Sequence, residues 1–205
     1  MNKKTQDTPQ PTDKKNELLE YHNELLNQCT VEADASDSLA ERQFYSIASS
    51  LLAEAGVLDN VSDEDSFHHE HPQLGTKIDG WSWNPLEKTI NGLIVKFSKD
   101  PSKIESINKS ALQNLGKRVA RVFEKVEEKG FLENLNFEDA ARLGEMKECI
   151  DEAIKFRVII LTNHQRSSRV KGIEIDQIYD KETRIEAWDL PELMELEYGG
   201  LESTH

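Results

Sequence analysis

Three ionisable residues in the first half of the chain, Glu41, Asp79 and Lys96, have the types and order that metal-assisted hydrolysis uses. Glu41 belongs to a segment in which Ala40, Phe44, Ile47, Ala48, Leu51, Leu52 and Ala55 recur at helical spacing until Gly56. At about 100° per residue, Glu41 falls between Phe44 and Ala48, on the apolar side, where a carboxylate needs a reason. One reason is local. Ser38 and Glu41 form an S-x-x-E capping pattern, and carboxylates are favoured in the first turn of a helix. Asp79 lies inside TKIDGWSW (76–83), a strand pattern that would ordinarily carry an apolar residue at that point. Asn84-Pro85-Leu86-Glu87 then turn the chain into TINGLIVKF (89–97), and the two runs read as an antiparallel hairpin. A tight turn puts Asp79 roughly opposite Gly92, and alternation gathers Asp79, Gly92, Ile94 and Lys96 on one face. The carboxylate and the ammonium then meet in space opened by the glycine, as a plain cross-strand pair or as part of a site.

A helical Glu, a hairpin Asp and a Lys on the return strand resemble, in order, the site of PD-(D/E)xK nucleases. There carboxylates hold Mg²⁺ and the lysine positions or activates the attacking water. The pattern asks for Glu or Gln two residues before the lysine. Here the strand reads Ile94-Val95-Lys96, which removes one metal ligand and leaves Glu41 and Asp79 to hold Mg²⁺. Other clusters compete. His68, His69 and His71 with Glu70 sit on a short strand pattern where at most two imidazoles converge, so polar residues on an edge strand are the simpler account. Lys109, Lys117, Arg118, Arg121 and Lys125 are interleaved with Glu124, Glu127 and Glu128, the pattern of a solvated helix face. Arg166, Arg169 and Lys171 follow the end of a buried strand, where α/β folds place ligands, and are the candidate nucleic-acid contacts. The sequence contains no phosphate-binding loop, dinucleotide fingerprint, nucleophile elbow or HExxH motif.

The elements that must position these groups follow from periodicity. Residues 1–16 read as a disordered tail, and a first helix spans about 17–32. The capped helix comes next, then strands over 67–71, 76–83 and 89–97. Helices follow over about 108–129 and 138–153. FRVIILTN (156–163) is an apolar run of strand length, RIEAWDL (184–190) a further strand, and Pro191 opens a short helix over 191–197. Buried strands alternating with helices imply a parallel pair at one side of a mixed sheet. The fold expected is one α/β domain over 17–198. It has a central sheet of about five strands with helices on both faces, like the restriction-endonuclease core, and a flexible end over 199–205. Phe44, Ile47, Leu51, Leu52, Leu93, Val95, Val158, Ile160 and Trp188 are its expected core.

Charge limits the partners. With 205 residues and a formal net charge of −14, the chain repels a polyanion unless a local basic face, or a further region, supplies Lys and Arg. No run approaches the roughly 18 apolar residues of a membrane span, and residues 1–16 lack the apolar core of a secretory signal. Cys29 and Cys149 read as two reduced thiols, which with the missing signal implies a cytoplasmic protein. Assembly with itself stays open.

Read in order, FYSIASSLLAEAGVLDN, GTKIDGWSWNPLEKTINGLIVKF, a Lys/Arg-bearing helix, FRVIILTN and RIEAWDLPELMELE resemble the N-terminal region of AIPR (abortive infection phage resistance) proteins. Ile78-Asp79-Gly80-Trp81, Ile159-Ile160-Leu161-Thr162 and Trp188-Asp189-Leu190 carry the likeness, which extends over about residues 17–200. The resemblance implies a phage-defence module with a nuclease-like core, followed in relatives by a much longer C-terminal region, so that the chain reads as a fragment or a split relative. Three functions follow from it: a degenerate nuclease-like module, an active Mg²⁺-dependent nuclease, or a non-catalytic interaction or sensing module.

Overall fold

In the computed structural model, which describes residues 11–59 and 66–202, the run Lys155–Thr162 is the strand around which the sheet is built. Its residues from Val158 to Thr162 are all buried, as expected of a strand covered on both faces. The elements in chain order are α1 (Pro11–Ser36), α2 (Ala40–Glu54), β1 (Ser66–His71), β2 (Thr76–Asn84), β3 (Thr89–Lys96), β4 (Ser106–Ile107), α3 (Lys109–Lys125), α4 (Phe137–Ile150), β5 (Lys155–Thr162), β6 (Gln165–Arg166), β7 (Glu182–Trp188) and α5 (Leu190–Glu202). The five-stranded sheet has the order β1-β2-β3-β5-β7. β1, β2 and β3 are antiparallel neighbours, whereas β3, β5 and β7 run parallel; the crossover from β3 to β5 contains α3 and α4, and that from β5 to β7 contains no helix among the described residues. The expected mixed sheet is therefore present, with three parallel strands rather than two. β4 and β6 form a separate two-stranded pair.

The sheet divides the apolar residues between two cores. On one face α3 and α4 pack Val119, Phe123, Leu143 and Met146 against Ile78, Ile90, Ile94 and Ile160. On the other, α1, α2 and α5 pack Leu25, Phe44, Leu52 and Leu193 against Leu93, Val95, Ile159 and Leu161. Gly92 lets α3 approach, since a Cβ there would lie 2.6 Å from Val119 Cγ1 and from Phe123 Cζ. Among the described residues no helix is long and apolar enough to cross a membrane.

Several local expectations change. α1 starts at Pro11 and so takes in part of the segment read as a tail, while residues 1–10 lie outside the described residues. At the far end α5 extends to Glu202, past the short helix foreseen. α1 also continues to Ser36. A tight reversal through Asp37, at φ 51°, then moves the N-cap of α2 to Leu39, and no side chain caps it. The Ser38–Glu41 capping box does not form; the Ser38 amide donates to Ala33 O at 2.9 Å, and Glu41 is left to other partners. Within α2, Phe44, Tyr45, Ala48, Ser49 and Leu52 are buried, while Ile47 and Leu51 are half-buried in the groove shared with α1. Trp188 is half-buried as well.

This rotation of α2 sets two neighbouring leucines apart. Leu52 is fully buried, and truncation to Ala should cost about 2–5 kcal/mol. Leu51→Ala should cost about 1 kcal/mol or less, because its site is partly open to water. Equal losses for the two variants in urea denaturation would contradict the packing described.

Candidate functional site

The geometry of the site begins with a break in the alternation of β2. Lys77 faces α2, and Ile78 enters the core under α3. Asp79 and Gly80 then both face α2, and Trp81 returns to the α3 side. Two consecutive residues on one side are the mark of a bulge, a device that re-aims a side chain. The β2–β3 ladder runs from Asn84–Thr89 through Trp81–Gly92 to Gly80–Leu93, so Gly92 pairs with Trp81 and not with Asp79. Beyond Gly80 the Asp79 carboxylate enters the ladder: Val95 N–H donates to its Oδ2 at 2.7 Å. On β1 the register slips at the same level, between Ser66 and His69.

Asp79 thereby looks into a cleft of about 70 Å³ at the N-terminal end of α2, lined by Leu39, Glu41, Arg42, Tyr45, Phe67, His68, Asp79 and Val95. His68 Nδ1 donates to Asp79 Oδ1 at 2.5 Å. Lys77, 8% exposed, brings its Nζ to 3.4 Å from Glu41 Oε1 and 3.7 Å from Asp79 Oδ2. One ammonium thus spans both carboxylates. α2 comes this close because Gly80 has no side chain; a Cβ there would collide with the Tyr45 hydroxyl. The hydrogen bond to Asp79 raises the His68 imidazole above its ordinary value of 6.5, against the opposing effect of its own burial.

Glu41 and Asp79, singled out from sequence, are thus brought together. Lys96 is not brought to them. Ile94 packs into the α3-side core and Val95 lines the cleft, so alternation carries Lys96, which is exposed, to the face opposite. The face assumed for Asp79, Gly92, Ile94 and Lys96 fails because the bulge turns Asp79 away from the other three. The lysine of the cleft is Lys77, overlooked in the sequence although Lys77-x-Asp79 places two charges on one side of a strand. As an oxygen cage for Mg²⁺ the set falls short. Both Asp79 oxygens already accept hydrogen bonds, an ammonium stands between the carboxylates, and β3 contributes no acid. Among the described residues no group of three or more His, Cys, Asp or Glu is disposed to hold a metal ion.

The remaining candidates are tied into the scaffold. His69 is buried, with Nδ1 at 2.7 Å from Asp139 Oδ2 and Nε2 at 3.2 Å from Thr76 Oγ1, which pins β1 to α4. His71 accepts from the Leu74 amide. Arg118 pairs with Glu70 at 2.6 Å and Lys125 with Glu128 at 2.7 Å, in keeping with a solvated face on α3. Arg166 is held by Asp189 and Glu192. Those two acids cap α5 reciprocally, with Glu192 N donating to Asp189 Oδ1 at 3.3 Å and Asp189 N donating to Glu192 Oε2 at 3.1 Å. Burial pushes the Glu192 carboxyl up. Arg169 is exposed, and Lys171 shares with Arg166 a cleft against β7, at the sheet edge remote from β1 and β2. Cys29 and Cys149 are free, and burial pushes the Cys29 thiol up to about 12.

Compared with known proteins, the chain matches one family model, described as abortive infection phage resistance protein N-terminal domain, over residues 44–195. The match takes in His68, Lys77 and Asp79 and begins three residues after Glu41. No curated protein and no solved structure matches the chain.

The His68–Asp79 bond sets a pH dependence. Because the folded imidazole binds its proton more tightly than the unfolded one, its stabilisation is complete below 6.5 and is lost as pH rises through the raised folded value. Urea midpoints followed over a pH series should fall across that window in the wild type. His68→Gln should flatten the fall, and an unchanged slope in that variant would remove His68 as its source.

Proposed function

We propose, for a chain that belongs to the abortive infection phage resistance protein N-terminal domain family, that it acts in phage defence as a recognition or assembly module on a nuclease-like frame without hydrolytic chemistry. The observation that carries this reading is the fate of the β3 residues. In the nuclease pattern they bring an acid and a lysine to the helix Glu and the hairpin Asp. Here Ile94 is committed to the core and Lys96 lies across the sheet from Asp79. The Asp79 carboxylate is used to bind Val95 N–H and His68, which suits a structural joint better than a metal ligand. The net charge of −14 adds to this, because nothing general draws a polyanion to the chain. On this reading the effector chemistry belongs to a further region or a partner protein, and nucleic acid is not a necessary ligand.

One observation favours a second reading, an active Mg²⁺-dependent nuclease. Lys77, Glu41 and Asp79 meet in one cleft, so Lys77 could take the water-positioning role that the sequence pattern gives to Lys96. A single assay separates the two. The wild-type chain, incubated with Mg²⁺ or Mn²⁺, should neither nick supercoiled plasmid nor cut single-stranded DNA or RNA. Cleavage that disappears in both Asp79→Ala and Lys77→Ala would establish the nuclease and reject the module reading.

A further inference from the structure

We infer that the Lys77 ammonium is the resident cation of the Glu41–Asp79 cleft and occupies, by charge and position, the place of a divalent metal. The inference rests on the module reading above and gives its cleft a specific internal chemistry. An ammonium that leaves water is strongly disfavoured unless it is paired, and the Lys77 side chain is only 10% exposed. It offsets that penalty by lying 3.4 Å from Glu41 Oε1 and 3.7 Å from Asp79 Oδ2, within ion-pair distance of both. Three rotatable N–H donors on a compact charge let one ammonium serve two carboxylates from different elements.

A divalent ion and this ammonium exclude each other. Mg²⁺ draws its oxygen ligands to about 2.0–2.1 Å, which would place both carboxylates against the metal and the metal against Nζ. Beside the two carboxylates, two further nitrogen-bearing side chains, Arg42 and His68, stand among the otherwise apolar lining of the cleft. His68 donates to the Asp79 oxygen that does not face Lys77. Glu41 and Asp79 are thus neutralised from within the chain. The cation also has a structural task, since it fastens the start of α2 to β2 where no side chain caps the helix.

The test uses the whole chain and Mn²⁺ as the probe. In calorimetry the wild type should give no saturable Mn²⁺ binding up to millimolar concentrations. Lys77→Met, which keeps the aliphatic length and removes the charge, should bind Mn²⁺ at least about tenfold more tightly than the wild type. The gain should vanish in Lys77→Met/Asp79→Asn. Mn²⁺ should raise the thermal midpoint of Lys77→Met and leave that of the wild type in place. Circular dichroism checks that the variant is folded. If it is not, Lys77→Gln takes its place, and Lys77→Met/Glu41→Gln should recover part of the stability by removing an unpaired carboxylate. Wild-type Mn²⁺ binding abolished by Asp79→Asn would overturn the inference, as would folded Lys77 variants that gain none. These outcomes are distinct from failure of the module reading, which is cleavage of nucleic acid whatever the metal affinity.

Discussion

Everything at the cleft depends on one irregularity, the placement of Asp79 and Gly80 on the same side of β2. A regular strand would send Asp79 into the apolar layer under α3, where an ionised carboxylate would be desolvated without a partner. The bulge brings it to the other face, and the ladder position it disturbs is repaired by the side chain itself, which takes the Val95 N–H. Gly80, turned the same way, removes the one Cβ that would hold Tyr45 and α2 at a distance. Ile78 and Trp81 remain in the opposite core, so the apolar packing on that side is continuous across the break. The cleft, the approach of α2 and the integrity of the second core are three results of one backbone event.

At the C-terminal ends of β5 and β7, polar groups serve a different purpose. The parallel strands β5 and β7 end in buried polar residues, among them Thr162, Asn163, His164 and Asp189. Asn163 exchanges two hydrogen bonds with the backbone of Ser98, at 2.8 Å and 2.7 Å, and ties the end of β5 to the segment after β3. His164 lies between Thr162 Oγ1 and Glu105 Oε2, and its burial lowers its affinity for a proton. Asp189, Glu192 and Arg166 close the turn into α5. These contacts fix loops rather than expose donors, which is why a region that attracts attention in an α/β fold is consumed here by its own connections.

Much of this architecture is written in periodicity. The period-2 runs around Asn84-Pro85, the apolar strand-length run before Asn163 and the stripe from Phe44 to Leu52 each lead to the right element. The site is less legible because it depends on a break in that periodicity. Nothing in Ile78-Asp79-Gly80-Trp81 announces two successive residues on one side, for the groups that meet them there, Tyr45 and Glu41 of α2, are distant along the chain. Once alternation is assumed, Lys96 is assigned to the cleft and Lys77, whose partner Glu41 lies 36 positions earlier, is passed over. The partners of Arg166 are hidden for the same reason, as the acids that hold it come 23 and 26 positions later. A closer reading of Asp189-Leu190-Pro191-Glu192 as a capping box would have ended β7 earlier and exposed that connection.

The first and last described helices meet. Tyr21 of α1 lies edge-on to Tyr198 of α5 with ring centroids 5.7 Å apart, and both helices pack in the layer that contains α2. A contact between segments so distant along the chain closes a very long loop, so it forms late and rewards the chain only after the sheet exists. Helices secured in this way are the first to open in local unfolding. α2 packs against both of them and contributes Glu41 to the cleft, so amide exchange in its first turn follows the docking of α1 more closely than the stability of the sheet.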